Sequence, residues 1–251
     1  MSSDPALALL QWLDVAGVAV FAASGALVAS RKRMDLVGFG LVGTVTGIGG
    51  GTLRDLLLDR PVFWVQEPFY VLLCVGVASV LFVVAPFVQE RYRALLWADA
   101  VGLAVFATLG ARVAFHGGFG VTISVLMGVM TATFGGLIRD VLCNEIPLIL
   151  RREIYATAAA LGAATYVVLS LAALPPPMPS LGAVGVGFAA RALGLRLGLS
   201  LPAYRARPGR SRTPVRRGAN AASGRSTEAD EPLPAPRIRA SRQRRRLSTR
   251  R

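Results

Sequence analysis

The chain has 251 residues, of which 53% are hydrophobic and only 17% charged, a composition typical of a protein embedded in a lipid bilayer. The formal net charge of +14 would suit a nucleic-acid-binding protein, but 15 of the 28 basic residues lie within residues 205–251, which argues against a nucleic-acid partner. Two cysteines and one histidine argue against a disulfide framework or a zinc site, and the motifs His-Glu-x-x-His and Gly-x-Ser-x-Gly are absent. We therefore predict an integral membrane protein that is not an enzyme and carries no cofactor.

Apolar stretches of about 20 residues are long enough to cross the hydrocarbon core of a bilayer as helices. The sequence contains seven such stretches, and none shows the alternating pattern of barrel strands. They predict an all-α membrane protein with spans at 7–30, 36–58, 69–88, 95–115, 119–143, 153–174 and 180–201. Residues 203–251, which are rich in Arg, Pro, Ser and Gly, predict a disordered tail that lies against anionic lipid headgroups.

Basic residues accumulate in alternate loops between these spans. One side receives Arg31–Arg33, Arg91, Arg93, Arg151, Arg152 and the tail, whereas the other receives Arg60, with Arg112 close to its boundary. Because loops rich in Lys and Arg stay in the cytoplasm, we predict a plasma-membrane protein with its N-terminus outside and its C-terminus inside.

An internal duplication relates residues 12–70 to residues 97–155 with a constant offset of 85 and no gap. Identical pairs include Trp12/Trp97, Asp14/Asp99, Phe21/Phe106, Thr46/Thr131, Gly50/Gly135, Arg54/Arg139, Asp55/Asp140 and Tyr70/Tyr155. We predict a first three-helix repeat at 8–90, a second at 93–175 and a seventh helix at 180–202. Three spans per repeat require the second repeat to be inverted, which is typical of transporters with a pathway between the repeats. A duplicated scaffold without a pathway is the alternative.

Glycines interrupt spans two and five at equivalent positions, beside an Arg-Asp pair in each span. We predict a helix break at both sites, with Thr52 and Asp55 capping a second half-helix in span two. Tight helix packing is the alternative for such small residues. The candidate pathway residues are Thr46, Gly49, Gly50, Gly51, Arg54 and Asp55 in span two, Thr131, Phe134, Gly135, Gly136, Arg139 and Asp140 in span five, and Asp14 and Asp99.

The two Arg-Asp pairs are predicted to lie at membrane depth, where unpaired charges cost about 2.5–3.5 kcal/mol each. Adjacent residues on a helix do not face each other, so we expect Arg54 to pair with Asp14, with Asp99 or with a carbonyl of the broken span. An ion pair that only fixes helix packing is the alternative. Asp14 and Asp99 are expected near helix N-termini, where carboxylates are favoured. Arg191, deep in span seven, needs a partner.

The string Gly-Gly-Gly-Thr-Leu-Arg-Asp-Leu-Leu-Leu at 49–58 and its second copy at 135–142 resemble the bacterial glycine-transporter-domain family. That family includes the prokaryotic homologues of the trimeric intracellular cation (TRIC) channels. The resemblance covers residues 8–202 and implies a 3+3+1 helix arrangement, a homotrimer and one ion pathway in each subunit between the repeats. It implies a channel for monovalent cations, potassium or sodium; a carrier of glycine or another small zwitterionic solute is the alternative. Phe134, which replaces Gly49 of the first repeat, is expected to narrow the pathway or to act as a gate.

Overall fold

The computed structural model describes residues 5–88, 90–151 and 154–198, and within these ranges it is helical without strands. The predicted tail at 203–251 and the end of the predicted seventh helix lie outside the described residues. The helices are α1 (Pro5–Arg31), α2 (Leu36–Leu57), α3 (Phe63–Gln66), α4 (Phe69–Val84), α5 (Arg91–His116), α6 (Val121–Leu142), α7 (Ala156–Leu171) and α8 (Met178–Leu197), with 3₁₀ turns at Ala85–Phe87 and Leu148–Leu150. Six of them are long and apolar enough to cross a membrane, and α7 is a shorter apolar helix of 16 residues. The seven-helix membrane fold is therefore confirmed.

Local sequence determines where several of these helices begin and end. The Asp35 carboxylate accepts a hydrogen bond of 2.8 Å from the Gly38 N–H and caps the start of α2. α8 ends at Gly198, which has φ of 61° and so adopts the left-handed conformation that glycine tolerates best. Equivalent turns follow α2 and α6, where Asp59 and Asn144 have φ of 52° and 50°. The two repeats thus share their turn geometry as well as their helices.

The predicted helix breaks are wrong. α2 continues through Gly49–Gly51, and α6 continues through Gly135 and Gly136. The Thr52 hydroxyl does not cap a new helix but donates 2.8 Å to the Ile48 carbonyl one turn earlier in the same helix. An unbroken helix keeps its backbone groups paired where no water is available, and the glycines serve the close packing of helices instead.

Equivalent helices of the two repeats pack against each other at the centre of the bundle. α1 contacts α5, where the rings of Phe21 and Phe106 lie 5.0 Å apart, and α2 contacts α6. A methyl group added to Gly50 would overlap the Thr131 carbonyl, and one added to Gly135 would overlap the Thr46 carbonyl. Each contact recurs with the equivalent residues exchanged, as two repeats related by a pseudo-two-fold axis require. Outside the repeats, α8 packs on α5 and α7.

Candidate functional site

The bundle has two ends, which we name by their loops. The Arg60 end contains the loops after α2 and α5, and the Arg31 end contains the loops after α1 and α6. Because α2 and α6 are inverted relative to each other, the Arg-Asp pair of α2 lies toward the Arg60 end and that of α6 toward the Arg31 end. The charged candidate residues therefore form two clusters on opposite sides of the α2–α6 contact.

In α2, the adjacent residues Arg54 and Asp55 bond to each other. Arg54 Nε donates 2.8 Å to Asp55 Oδ1, and the backbone N–H of Phe63 donates 3.0 Å to Asp55 Oδ2. The expectation that Arg54 pairs with Asp14, Asp99 or a carbonyl of a broken span is wrong. The pair lies in the last turn of the helix, where the carboxylate is held by the following loop and the long arginine side chain reaches it.

The same arrangement recurs in α6 and is extended there. Arg139 Nε donates 2.8 Å to Asp140 Oδ1, and the Leu148 N–H donates 3.0 Å to Asp140 Oδ2. Arg139 Nη1 additionally donates 2.8 Å to Asp99 Oδ1 and 3.0 Å to the Ser24 hydroxyl. Neither Arg139 nor Asp99 is exposed, so this ion pair is fully removed from solvent.

Gly136 of α6 and Arg191 of α8 lie beside this second cluster, the one around Arg139. A methyl group at Gly136 would lie 3.1 Å from the Tyr155 hydroxyl and 3.5 Å from Arg139 Nη2, so glycine keeps the polar groups close to the helix. Arg191 of α8 is fully buried, lies 5.1 Å above the Tyr155 ring and donates 3.1 Å to the Ile154 carbonyl. The partner that Arg191 needs is therefore supplied by the segment between α6 and α7.

The cluster at the Arg60 end is more open. Asp14 accepts a hydrogen bond of 2.8 Å from the Tyr70 hydroxyl and lines a cavity of about 260 Å³ together with Arg54, Leu109 and Arg112. Leu109 is the repeat equivalent of Ser24, so Arg54 lacks the hydroxyl partner that Arg139 has. The two clusters are thus related by the repeat but differ in how tightly they are packed.

Asp14 and Asp99 do not lie at helix N-termini, contrary to expectation. Each lies more than two turns inside its helix, since α1 begins at Pro5 and α5 at Arg91. Their carboxylates are positioned by partners on other helices: Tyr70 for Asp14, and Arg139 for Asp99. They are components of the clusters and do not cap helices.

Between the clusters, α2 and α6 close the centre of the bundle. The buried hydroxyls of Thr46 and Thr131 each donate 2.6 Å to the carbonyl four residues earlier in their own helices. Gly49 faces Ile138, whose Cδ1 would lie 3.3 Å from an added methyl group, and Gly51 faces Phe63. Phe134 is partly buried. All predicted site residues thus belong to α1, α2, α5 and α6. The charged residues form the two clusters, and Gly49, Gly50 and Gly135 lie at the contact between α2 and α6.

Several residues of the site were missed by the sequence reasoning. The sequence identifies Tyr70 and Tyr155 as equivalent residues of the two repeats, but it does not place them beside Asp14 and Asp99. The repeat itself contains a signal for them, because a polar side chain present in both halves of an apolar protein needs a hydrogen-bond partner in each half. Arg112 has no such signal. Among the described residues, no group of three or more His, Cys, Asp or Glu side chains is placed to hold a metal ion.

Comparison with known proteins identifies the family to which the sequence is similar. The sequence profile described as "Glycine transporter" matches residues 11–86 and 96–170, two stretches that begin 85 residues apart. The inner membrane protein YadS of Escherichia coli (strain K12) is 44% identical over 205 residues, which cover 78% of this chain and 96% of YadS. A membrane protein of Vibrio cholerae is 41% identical over 170 residues, covering 64% of this chain and 70% of that protein.

Solved structures are similar as well. The TRIC trimeric intracellular cation channel orthologue from Rhodobacter sphaeroides is 54% identical, with a TM-score of 0.74, covering 76% of this chain and 99% of that chain. A prokaryotic TRIC channel crystallised in 0.5 M KCl is 34% identical, with a TM-score of 0.73, covering 78% of this chain and 100% of that chain. A trimeric intracellular cation channel from C. elegans, 17% identical with a TM-score of 0.52, covering 76% of this chain and 92% of that chain, shares the fold.

Proposed function

The chain belongs to the glycine transporter family of membrane proteins, and from this premise we propose that it is a channel for monovalent cations such as K⁺ and Na⁺. We further propose that it forms a homotrimer with one pathway in each subunit, between the two repeats. The 54% identity to a protein described as a trimeric intracellular cation channel supports a cation channel and a trimer.

The observation that carries the proposal is the pair of charged clusters inside the bundle. Ionisable side chains within membrane helices are costly, and they mark ion pathways when they face the interior. Around Arg54 the cluster holds two carboxylates, Asp14 and Asp55, and around Arg139 it holds two more, from Asp99 and Asp140. Asp99 and Asp140 outnumber the one guanidinium group to which they are bonded, that of Arg139, and such an excess of carboxylates favours the passage of cations. Around Arg54 the charges balance, because Arg112 lines the same cavity.

The pathway that we propose runs from the cavity at the Arg60 end, past the α2–α6 contact, to the Arg139 cluster. Conduction then requires α2 and α6 to separate, because their backbones meet at Gly50 and Gly135. Among the described residues, Arg139 donates hydrogen bonds to three side chains and is not exposed, whereas Arg54 donates to one, Asp55, and is 7% exposed. The Arg31 end is therefore the tighter barrier. The partly buried Phe134 ring, one residue before Gly135, would narrow the pathway beside the α2–α6 contact.

We propose the orientation that the basic loops predict. The Arg60 end faces outward, and the Arg31 end with Arg31–Arg33 faces the cytoplasm. Anionic lipid headgroups of the inner leaflet would then attract the arginines of the tail.

Recording in planar bilayers tests the channel directly. Purified trimer between unequal KCl solutions should give unitary currents whose reversal potential follows the K⁺ gradient. Gly135→Leu should abolish the currents, because its side chain would fill the gap through which ions pass when the two helices separate. Gly40→Leu should retain them, since an added Cβ at Gly40 meets no atom within 4 Å. Trimer yield on size exclusion separates blocked channels from unfolded ones. Parental currents from well-folded Gly135→Leu would contradict a pathway beside this contact.

A carrier of glycine or another small zwitterion is the second candidate. The cavity of about 260 Å³ at the Arg60 end favours it, because a carboxylate (Asp14) and guanidinium groups (Arg54, Arg112) line the same space. Uptake of radiolabelled glycine into proteoliposomes separates the two functions. Saturable glycine uptake in the absence of unitary currents would contradict the channel and support the carrier function.

A further inference from the structure

Two guanidinium groups and an imidazole surround one cavity at the Arg60 end. Arg60, Arg112, His116 and Val113 line this space of about 360 Å³, and none of the four carries a carboxylate. Arg112 also lines two neighbouring cavities, the one of about 260 Å³ that leads to Asp14 and another of about 300 Å³. Arg112 thus stands where the three cavities meet.

The internal repeat shows how unusual this composition is. The equivalents of Arg60, His116 and Arg112 at the opposite end are Glu145, Arg31 and Leu27. There, Arg31 Nη1 lies 3.2 Å from Glu145 Oε2, and the Lys32 ammonium lies 3.6 Å from Glu145 Oε1.

Leu27 is 5% exposed and belongs to an apolar cluster with Phe39, Val42 and Leu95. The Arg31 end is therefore closed by an ion pair above packed apolar side chains. On the same backbone frame, the Arg60 end carries Arg60, Arg112 and His116 at the three positions, so the equivalent ion pair cannot form there.

Arg112 shares the cavity of about 260 Å³ with the Asp14 carboxylate, but the basic groups at the Arg60 end make few direct bonds. Among the described residues, neither Arg60 nor Arg112 makes a salt bridge or a side-chain hydrogen bond, although Arg112 is partly buried. His116 uses one ring nitrogen, Nε2, which lies 3.0 Å from the Tyr166 hydroxyl. A partly buried guanidinium gains most from a ligand that accepts several hydrogen bonds at once.

We propose that this cavity is a binding site for a phosphate-type oxyanion, held by Arg112 and Arg60 with His116 beside them. Planar guanidinium groups match the geometry of phosphate oxygens and bind them in pairs of hydrogen bonds. The ligand is free phosphate or the phosphodiester of a lipid headgroup. The adjoining cavity of about 300 Å³, with walls from Leu10, Phe115 and Leu174, has room beside Arg112 for the start of an acyl chain.

The chain supplies its own test variant. Arg112→Leu introduces the residue that the fold already accepts at the equivalent position, Leu27, so the protein is expected to remain folded. Arg93→Gln is the matched control, because Arg93 lies on the surface at the other end, where its side chain is 72% exposed. Both variants remove one arginine, and only the first removes it from the cavity.

Two measurements on the purified full-length protein separate the sources of the oxyanion. Calorimetric titration with inorganic phosphate, after lipid removal in detergent, tests free phosphate. Native mass spectrometry of protein extracted from vesicles of phosphatidylcholine and phosphatidylglycerol tests a retained phospholipid. We expect Arg112→Leu to weaken phosphate binding at least tenfold or to lose the retained lipid, while Arg93→Gln stays within twofold of the parent.

Equal phosphate affinity and equal lipid retention in the parent and Arg112→Leu would overturn the proposal, as would the absence of both ligands from the parent. Neither readout depends on ion flux. The oxyanion site can therefore fail while the channel stands, and the channel can fail while the site stands.

Discussion

Asp99 and Asp14 occupy equivalent positions in the two repeats, but they have different partners. Asp99 accepts a bond of 2.8 Å from Arg139, and neither side chain is exposed. Asp14 accepts a hydrogen bond from Tyr70 and lines a cavity. Asp99→Asn therefore removes one charge of a buried ion pair, whereas Asp14→Asn retains a side-chain oxygen that accepts the hydrogen bond from the Tyr70 hydroxyl.

The magnitude follows from the geometry. Unit charges about 4 Å apart interact by about 4 kcal/mol at an effective dielectric constant of about 20. Removing one partner of a buried pair costs about 3–5 kcal/mol, because the remaining charge is left unpaired. Asp140 keeps a second carboxylate 2.8 Å from Arg139, so we expect the lower end of that range for Asp99→Asn. We expect less than about 1 kcal/mol for Asp14→Asn, whose hydrogen bond survives.

The measurement is the midpoint of thermal unfolding in detergent, with the oligomer peak on size exclusion recorded before heating. At about 2–4 °C per kcal/mol for a chain of this size, Asp99→Asn should lower the midpoint by about 6–12 °C and Asp14→Asn by less than about 4 °C. Arg93→Gln, on the exposed surface, should leave it unchanged. Equal shifts for the two aspartate variants would refute the reasoning, because the asymmetry of the clusters would then have no energetic consequence.

Three further predictions concern packing, topology and the tail. Gly50→Ala should destabilise the protein by about 1–3 kcal/mol, because the added methyl group overlaps the facing backbone, whereas Gly40→Ala, in open space, should not. Equal midpoints of thermal unfolding for the two variants would contradict the close contact. Reporter fusions after Arg33 and after Leu174 should give opposite signals, and identical signals would refute the seven-span topology. Truncation after Arg205 should preserve oligomer and currents, since the removed segment has too few apolar residues to form a core; loss of assembly would contradict this.

The fold was readable from the sequence to a large extent. Local composition identifies the apolar stretches that are long enough to span a membrane. Identical residues at a constant offset, such as Trp12/Trp97 and Asp14/Asp99, identify the duplication. The inversion of the second repeat follows from the odd number of spans per repeat, and it can be deduced without knowing how the helices pack. The 16-residue length of α7 was less accessible, because apolar loop residues continue the pattern of the helix.

The site was only partly readable. The sequence identified Arg54, Arg139 and the glycines because such residues are unusual in apolar helices. It assigned the wrong partner to Arg54, since helix geometry disfavours contact between neighbours in mid-helix and the pair lies in the last turn. It predicted breaks at glycines that instead let two helices touch, because helix propensity is local whereas the facing carbonyl of Thr131 comes from 81 residues away.

By itself, therefore, the sequence determined the membrane class, the repeat and the identity of the charged residues, because these depend on composition and on order along the chain. Only the tertiary structure decided that Arg139 is sealed by Asp99 and Ser24 while Arg54 borders a cavity. It also decided that one end is closed by an ion pair and the other left open around Arg112. The physical reason is that burial and pairing depend on distances between segments, and equivalent positions in a repeat can carry different side chains on the same backbone.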